Sequence, residues 1–199
     1  MASKLDLTIL QGKTFSQIVR WETEPIIYKA ISGITTAAPA VITCTGHSVP
    51  NNWRVAIVSV KGMTQINAEN DPPKDSDYHQ ATVLNANTIE LNDVNAAGFK
   101  AYTSGGYVQY NTPHDLTGYE ARMTIRDKIG GTALDTLTDV NGKLVISTTD
   151  HYVKILIDAT TTALYTWTSG VYDLEVESPT GEVTQLLYGK VKVTKEVTT

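Results

Sequence analysis

The sequence predicts an all-β protein, and two observations support that prediction. First, β-branched residues recur throughout the chain, as in Thr160-Thr161-Thr162, and tyrosine is the most frequent aromatic residue with 10 copies. Such residues fit a pleated, half-buried surface. Second, short apolar alternations follow one another along the chain and are separated by segments rich in Gly, Pro, Asn and Asp. Together these features favour many short strands joined by turns.

Composition excludes several function classes. A chain of 199 residues can form one sizeable domain or two small ones. The net charge is -5 and no Lys/Arg cluster is present, so we expect no sequence-specific nucleic-acid binding. No apolar run approaches membrane-spanning length, and no secretory signal is expected at the N-terminus. A single cysteine, Cys44, forms no internal disulfide, which is typical of a protein synthesised in a reducing cytoplasm.

The first strands alternate clearly. Leu5, Leu7 and Ile9 are separated by polar residues, as in a strand with one buried face. Gly12-Lys13 then turns the chain, and Thr14–Glu22 forms a second strand. The sequence therefore predicts a hairpin between these two strands.

The C-terminal part contains roughly six further strands. Tyr119–Arg126 has the clearest two-sided alternation, and Asn141-Gly142 is a hairpin-type dipeptide because both residues tolerate positive φ. Ala159–Trp167 lacks period-two alternation. This segment predicts one or two helical turns, with Asp158 as the N-cap.

The middle of the chain differs in the length and spacing of its predicted strands. From Val41 onward the strands are short and closely spaced, which favours a small barrel or sandwich. The hairpin at the N-terminus is too small to fold alone, so it is expected to join the C-terminal strands. The predicted domains are therefore a discontinuous sandwich of residues 1–31 and 111–199, and an inserted β-module of residues 32–110.

Both parts contain residue combinations that can be compared with known families. The inner segment ends in Ala101-Tyr102-Thr103-Ser104-Gly105-Gly106 and has His47 and Gly62-Met63 upstream. It resembles a small β-module of phage virion proteins that is named after the first catalytic cysteine half-domain of ubiquitin-activating enzymes. The outer segments 5–15, 115–128, 170–176 and 187–193 resemble an immunoglobulin-like module of phage virion proteins, such as the N-terminal domains of baseplate upper proteins. These resemblances imply a structural protein of the tail or neck, and no ubiquitin chemistry.

The contact residues are predicted from one loop and from aromatic side chains near loops. After His47 the sequence departs from the pattern of the inner family, which indicates a loop that is specialised or has a different conformation. Aromatic residues with a polar group are enriched at interfaces. The predicted protein or glycan contacts are Ser48, Asn51, Asn52, Trp53, Tyr78 and Tyr102.

No residue is predicted to be catalytic, to bind a cofactor or to bind a metal. Cys44 and His47 could form a nucleophile pair, but a small buried cysteine and a turn-bracing histidine are the more ordinary interpretation. Asp71, Asp75 and Asp77 lack the spacing of a calcium loop, which favours a solvated loop tip.

The predicted function is therefore assembly. The chain is expected to form a homo-oligomeric ring or collar in the tail or neck of a virion made in a bacterial host. Its partners would be tail, neck and fibre proteins, reached through loops, sheet edges and the extended terminus Lys195–Thr199. The alternatives are a fibre or spike adaptor that binds host glycan, and a capsid decoration protein. An enzyme is the weakest alternative.

Overall fold

The computed structural model describes residues 2–196. Strands account for 51% of the chain and helix for 6%, so the prediction of an all-β protein is confirmed. In chain order the elements are β1 (Ser3–Lys4), β2 (Leu7–Leu10), β3 (Phe15–Val19), β4 (Glu22–Ala30), β5 (Gly33–Ile34), β6 (Ala40–Thr43), β7 (Trp53–Lys61), β8 (His79–Asn85), β9 (Thr88–Leu91), β10 (Ser104–Pro113), β11 (Glu120–Arg126), β12 (Ala133–Thr138), β13 (Leu144–Ser147), β14 (Tyr152–Ile157), α1 (Ala159–Ala163), β15 (Ser169–Glu177) and β16 (Val183–Thr194). Two 3-10 turns, Thr64–Ile66 and Asp75–Asp77, lie between β7 and β8.

The chain divides into two compact units. The inner unit is Glu22–His114, and the outer unit contains the residues up to Trp21 and from Asp115 onward. The predicted outer domain includes residues 22–31. In the structure most of them form β4, which pairs with β10 of the inner unit. The two junctions therefore lie at 21/22 and 114/115 rather than at 31/32 and 110/111.

The outer unit is a two-sheet sandwich. One sheet has the order β12-β11-β15-β16, and β1 and β2 both join β16 in parallel. The second sheet has the order β13-β14-β3. Ile9, Ile125 and Leu174 of the first sheet and Ile155 of the second belong to one buried core. This is the immunoglobulin strand order: β3, β14 and β13 occupy the B, E and D positions, and β12, β11, β15 and β16 the C′, C, F and G positions.

The predicted N-terminal hairpin is wrong. β2 pairs with β16 and β3 pairs with β14, so the two strands belong to different sheets. The turn between them contains Gly12, whose φ of +74° lies in the left-handed region. Asn141-Gly142 likewise joins β12 to β13 of the other sheet. Alternation indicates that a segment is a strand, but it does not specify the partner.

The predicted short helix is confirmed as α1. The Asp158 side chain accepts a hydrogen bond from the Thr161 amide at 2.6 Å, as an N-cap does. The Thr160 hydroxyl and the Thr161 amide both stabilise the carboxylate, and they lower its pKa. This helix leads the chain from β14 to β15, across from one sheet to the other.

The inner unit is one antiparallel sheet with the order β4-β10-β7-β8-β9-β6-β5. One of its faces covers a core that includes Trp53, Ile57, Ile89 and Tyr110. β4 leads through Ile31 and Ser32 into β5, so the two ends of the sheet are neighbours in sequence. These two strands do not pair within residues 2–196, and the sheet does not close into a barrel.

Candidate interaction face

The loop before β7 is fixed by its own hydrogen bonds. Ser48, Asn51 and Asn52 are exposed, and Ser48 and Asn52 have φ values of 55° and 58°. The Asn51 side chain accepts a hydrogen bond from the Val83 amide at 3.1 Å. Because left-handed backbone and an anchored amide restrict the loop, it presents its polar groups in a defined arrangement.

Trp53 is not a surface residue, which corrects the expectation of an exposed ring. It is fully buried at the start of β7, on the core side with Val55 and Ile57. Its indole Nε1 donates to the carbonyl of Asn111 at 3.1 Å. A strand start beside a loop looked exposed in sequence, but strand alternation directs this side chain into the core.

His47 and Cys44 have structural roles. His47 is buried, its Nδ1 accepts from the Val49 amide at 2.9 Å, and its Nε2 lies 2.8 Å from the carbonyl of Asn85. The interpretation of His47 as a residue that braces its turn is confirmed. Cys44 is fully buried, and this burial raises the pKa of its thiol despite a smaller opposing effect of Lys29. Both features disfavour a reactive thiolate.

Tyr102 also braces the fold. Its hydroxyl lies 2.9 Å from the carbonyl oxygen of Ile31 and 3.0 Å from that of Gly105. The ring is partly buried against the inner core. Tyr102 therefore holds the end of β4 to the start of β10 rather than presenting an open aromatic surface.

Two other tyrosines form an exposed aromatic surface. Tyr28 in β4 and Tyr107 in β10 are 53% and 45% exposed. Their ring centroids lie 6.3 Å apart with an interplanar angle of 88°, an edge-to-face contact. In the β4–β10 register Tyr28 is opposite Gln109, two residues from Tyr107, so all three side chains lie on the same side of the sheet. Val108 and Tyr110, on the other side, face the core.

Tyr78 completes this surface. Its side chain is hydrogen-bonded to that of Gln109, which is buried in the sheet. Partial burial raises the pKa of Tyr78, while the hydrogen bond with Gln109 and the charge of Arg54 oppose that effect. We call Tyr28, Tyr78, Tyr107 and Gln109 the tyrosine face. Of the six residues predicted from sequence, only Tyr78 belongs to it.

Arg54 fixes one border of the tyrosine face. Its guanidinium carbon lies 4.7 Å from the centroid of the Tyr78 ring. Nε is 2.6 Å from Glu22 Oε1, and Nη1 is 2.8 Å from Asp75 Oδ1. These contacts, with Glu22 first, raise the pKa of Arg54. Asn111 donates to the other oxygen of Glu22 at 2.9 Å, so the border is a connected polar network.

The acidic loop is organised around Asp77. Its carboxylate accepts from the amides of Lys74 at 2.8 Å and Glu69 at 3.1 Å, and from the Asn70 side chain at 2.9 Å. The Lys74 amide is the largest of several causes that lower its pKa. The prediction of a solvated loop tip is wrong for Asp77, which is buried. Residues 2–196 contain no group of three or more side chains that could hold a metal ion.

The outer unit has an open groove of about 530 Å³ on the outer face of its larger sheet. Its lining includes the basic residues Lys4, Arg126 and Lys190, together with Asp173 and Ile129. Ile129, in the turn after β11, is almost fully exposed. The groove offers a second contact surface of basic and apolar character.

The exposed pair Tyr28 and Tyr107 is not among the six contact residues predicted from the sequence. Tyr28 follows Ile26 and Ile27, and Tyr107 precedes Val108, so apolar residues lie on both sides of the strand and hide which face is open. One signal could have identified them. In both β4 and β10, which pair with one another, the two faces of the strand do not differ clearly in polarity. A sheet with one such region has apolar residues on both faces.

No protein-family model matches this chain, and no curated protein matches it. No helix of residues 2–196 is both long enough and apolar enough to cross a membrane.

Proposed function

We propose that this chain is a non-enzymatic structural protein of a bacteriophage particle. It assembles as a homo-oligomer in the tail, or in the neck that joins head to tail, and docks neighbouring tail or fibre subunits. The observation that supports this proposal best is the architecture, an immunoglobulin-type sandwich with a complete β-unit inserted between β3 and β11. The order of the two units matches the order of the two phage-type resemblances in the sequence.

Both units expose side chains that suit assembly. The inner unit has the tyrosine face, and the outer unit exposes Ile129, Val140 and Leu164 on its connections. Burial of apolar surface contributes about 25 cal/mol per Å², so such side chains favour docking. The net charge of -5 is mild for this length, and identical copies therefore repel one another weakly.

The test is to locate the chain in particles made from the genome that encodes it. Mass spectrometry of purified particles and a cryo-EM map should find it at a fixed copy number in the tail or neck. Its absence from purified particles would overturn the proposal. Density on the head surface would instead support a capsid decoration protein.

A host-glycan adaptor is the second candidate, because Tyr28 and Tyr107 offer exposed rings and the exposed Asp75 pairs with Arg54 at the border of the tyrosine face. Their perpendicular rings do not form a flat platform, which ranks this candidate second. A glycan array with the wild-type chain and Tyr107→Ser separates the two candidates. A signal that the substitution abolishes would favour glycan binding.

A further inference from the structure

The edge of β4 is open over a short, defined stretch. β4 is the end strand of the inner sheet, and β10 is its partner. The Ile31 amide donates to the carbonyl of Gly106, so Ile31, Lys29 and Ile27 direct their backbone groups toward β10. Ile26, Tyr28 and Ala30 therefore direct theirs away from the sheet. Beyond them Ser32 turns to β6, where its amide donates to Thr43.

The same three residues also carry their side chains on the side of the tyrosine face. Backbone direction and side-chain direction both alternate with a period of two along a strand. A strand that paired with Ile26, Tyr28 and Ala30 would thus lie beside Tyr28 and Tyr107. One added strand would satisfy the backbone groups and cover the exposed rings together.

The edge of β12 makes a useful comparison. There the Asn141 side chain donates to the carbonyl of Thr136 at 2.9 Å and accepts from the amide of Thr138 at 3.0 Å. The outward backbone groups of β12 are therefore partly occupied from within the chain. Side chains that block an edge in this way prevent strand addition. Between Ile26 and Ala30, no backbone or side-chain hydrogen bond within residues 2–196 occupies the outward edge of β4.

We infer that β4 pairs antiparallel with β4 of a second copy of this chain, about a two-fold axis at Tyr28. This inference rests on the proposed function, which requires copies to associate. Around that axis Ile26 faces Ala30 of the partner and Tyr28 faces its own equivalent. The pairing is self-complementary, as a symmetric two-fold contact must be.

The side chains agree with this register. Apolar residues face one another at Ile26 and Ala30, and the two Tyr28 rings meet at the axis with Tyr107 packed against each. Directly opposite side chains in antiparallel strands lie within about 5.5 Å, close enough for aromatic pairs to interact. The two Lys29 residues are diagonal neighbours at about 7–8 Å, and their long side chains can diverge into solvent.

The interface is small, which sets the expected affinity. Pairing over five residues buries less than the roughly 1,200 Å² of a standard stable complex. We therefore expect weak pairing, with a dissociation constant on the order of micromolar. Weak pair contacts are sufficient in a particle, where many copies hold one another in place.

The experiment is sedimentation equilibrium of the full chain at about 5–500 µM, a range around the micromolar estimate. Wild-type protein should approach twice the 21.6 kDa of one chain. Tyr28→Lys and Tyr28→Glu place like charges opposite each other at the axis, and each should raise the dissociation constant at least about tenfold. An equimolar mixture of the two variants should associate again, because opposite charges then meet.

Leu84→Lys is the matched control, since Leu84 is 49% exposed in the same unit but lies on β8. It should leave the association unchanged. A wild-type chain that is monomeric over the whole range overturns the inference, and so does a mixture that fails to associate. Glycan binding through Tyr28 by a monomeric chain would overturn it too. None of these results bears on particle localisation, which tests the proposed function separately.

Discussion

The hydroxyl of Tyr165 donates to one carboxylate oxygen of Asp135 at 2.5 Å. The other oxygen lies 2.6 Å from the ammonium nitrogen of Lys143. Asp135 belongs to β12, Lys143 precedes β13, and Tyr165 follows α1, so one carboxylate connects parts of both sheets of the sandwich. The Tyr165 ring also packs against Trp167 at 4.7 Å. Burial is the main cause that raises the pKa of Tyr165, followed by Asp135.

Tyr165→Phe should therefore destabilise the outer unit. The substitution removes one hydrogen bond to a charged group, which contributes about 1.5–3 kcal/mol. Guanidinium unfolding of the full chain, monitored by tryptophan fluorescence, gives the change in free energy. Tyr188→Phe is the control, since its hydroxyl is on an exposed ring, and it should stay within about 0.5 kcal/mol of wild type. Equal effects of the two substitutions would contradict this role.

Asn141→Ala should open the edge of β12. The amide side chain of Asn141 bonds Thr136 and Thr138 on that edge, and each lost bond costs about 1 kcal/mol. Hydrogen exchange should show faster exchange at the Thr138 amide and little change in β15. Asn95→Ala is a control, because Asn95 accepts a bond within a turn of the inner unit. Unchanged protection at Thr138 would refute the capping role.

Asp77→Asn should remove part of the acid sensitivity of the inner unit. The folded-state pKa of Asp77 lies below its ordinary value of 3.8, so the folded state releases this proton more readily than the unfolded state. Its stabilising contribution is present above about pH 4 and is lost as the pH falls through the folded pKa. The melting temperatures of wild type and variant should therefore converge between pH 6 and pH 2.5. Asp71→Asn, at an exposed position, is the control, and a constant difference would contradict the prediction.

Cys44 should react with thiol reagents only after unfolding. It is buried, and burial raises the pKa of its thiol, so both access and thiolate formation are disfavoured. At pH 8 we expect iodoacetamide to modify the native chain at least about tenfold more slowly than the unfolded chain. Mass spectrometry follows the modification over time. Rapid modification of native protein would restore Cys44 as a candidate nucleophile.

Sequence patterns predicted strands well where the two faces differ in polarity. The Tyr119–Arg126 alternation corresponds to β11, and the Asp158 cap corresponds to α1. Partners could not be predicted in the same way. Leu7 and Ile9 pair with Val191 and Val193, because the sandwich places the first and last strands side by side. Local alternation does not indicate which strand, far away in the sequence, will be the partner.

The candidate site was less predictable than the fold. Trp53 looked exposed because it follows a polar loop, yet its position in β7 directs it into the core. Tyr28 follows two isoleucines, so the local sequence does not show which face of β4 is open. Within residues 2–196 no strand pairs with the outer edge of β4. Whether a residue lies at a sheet edge depends on the strand order, and the strand order depends on pairing between distant segments. Local sequence therefore does not predict it.

The pairing of Ile9 with Val193 has a consequence for synthesis on the ribosome. The inner unit is contiguous, so all of its strands have been translated once β10 is complete. The outer sandwich lacks its β16 strand until residue 194 has been translated. At about 5–20 residues per second, the nascent chain spends roughly 4–16 seconds between these two points. During that interval β2 and β3 have been synthesised, but the outer sandwich is incomplete. A chain that stops there has all the strands of the inner unit but only part of the outer one.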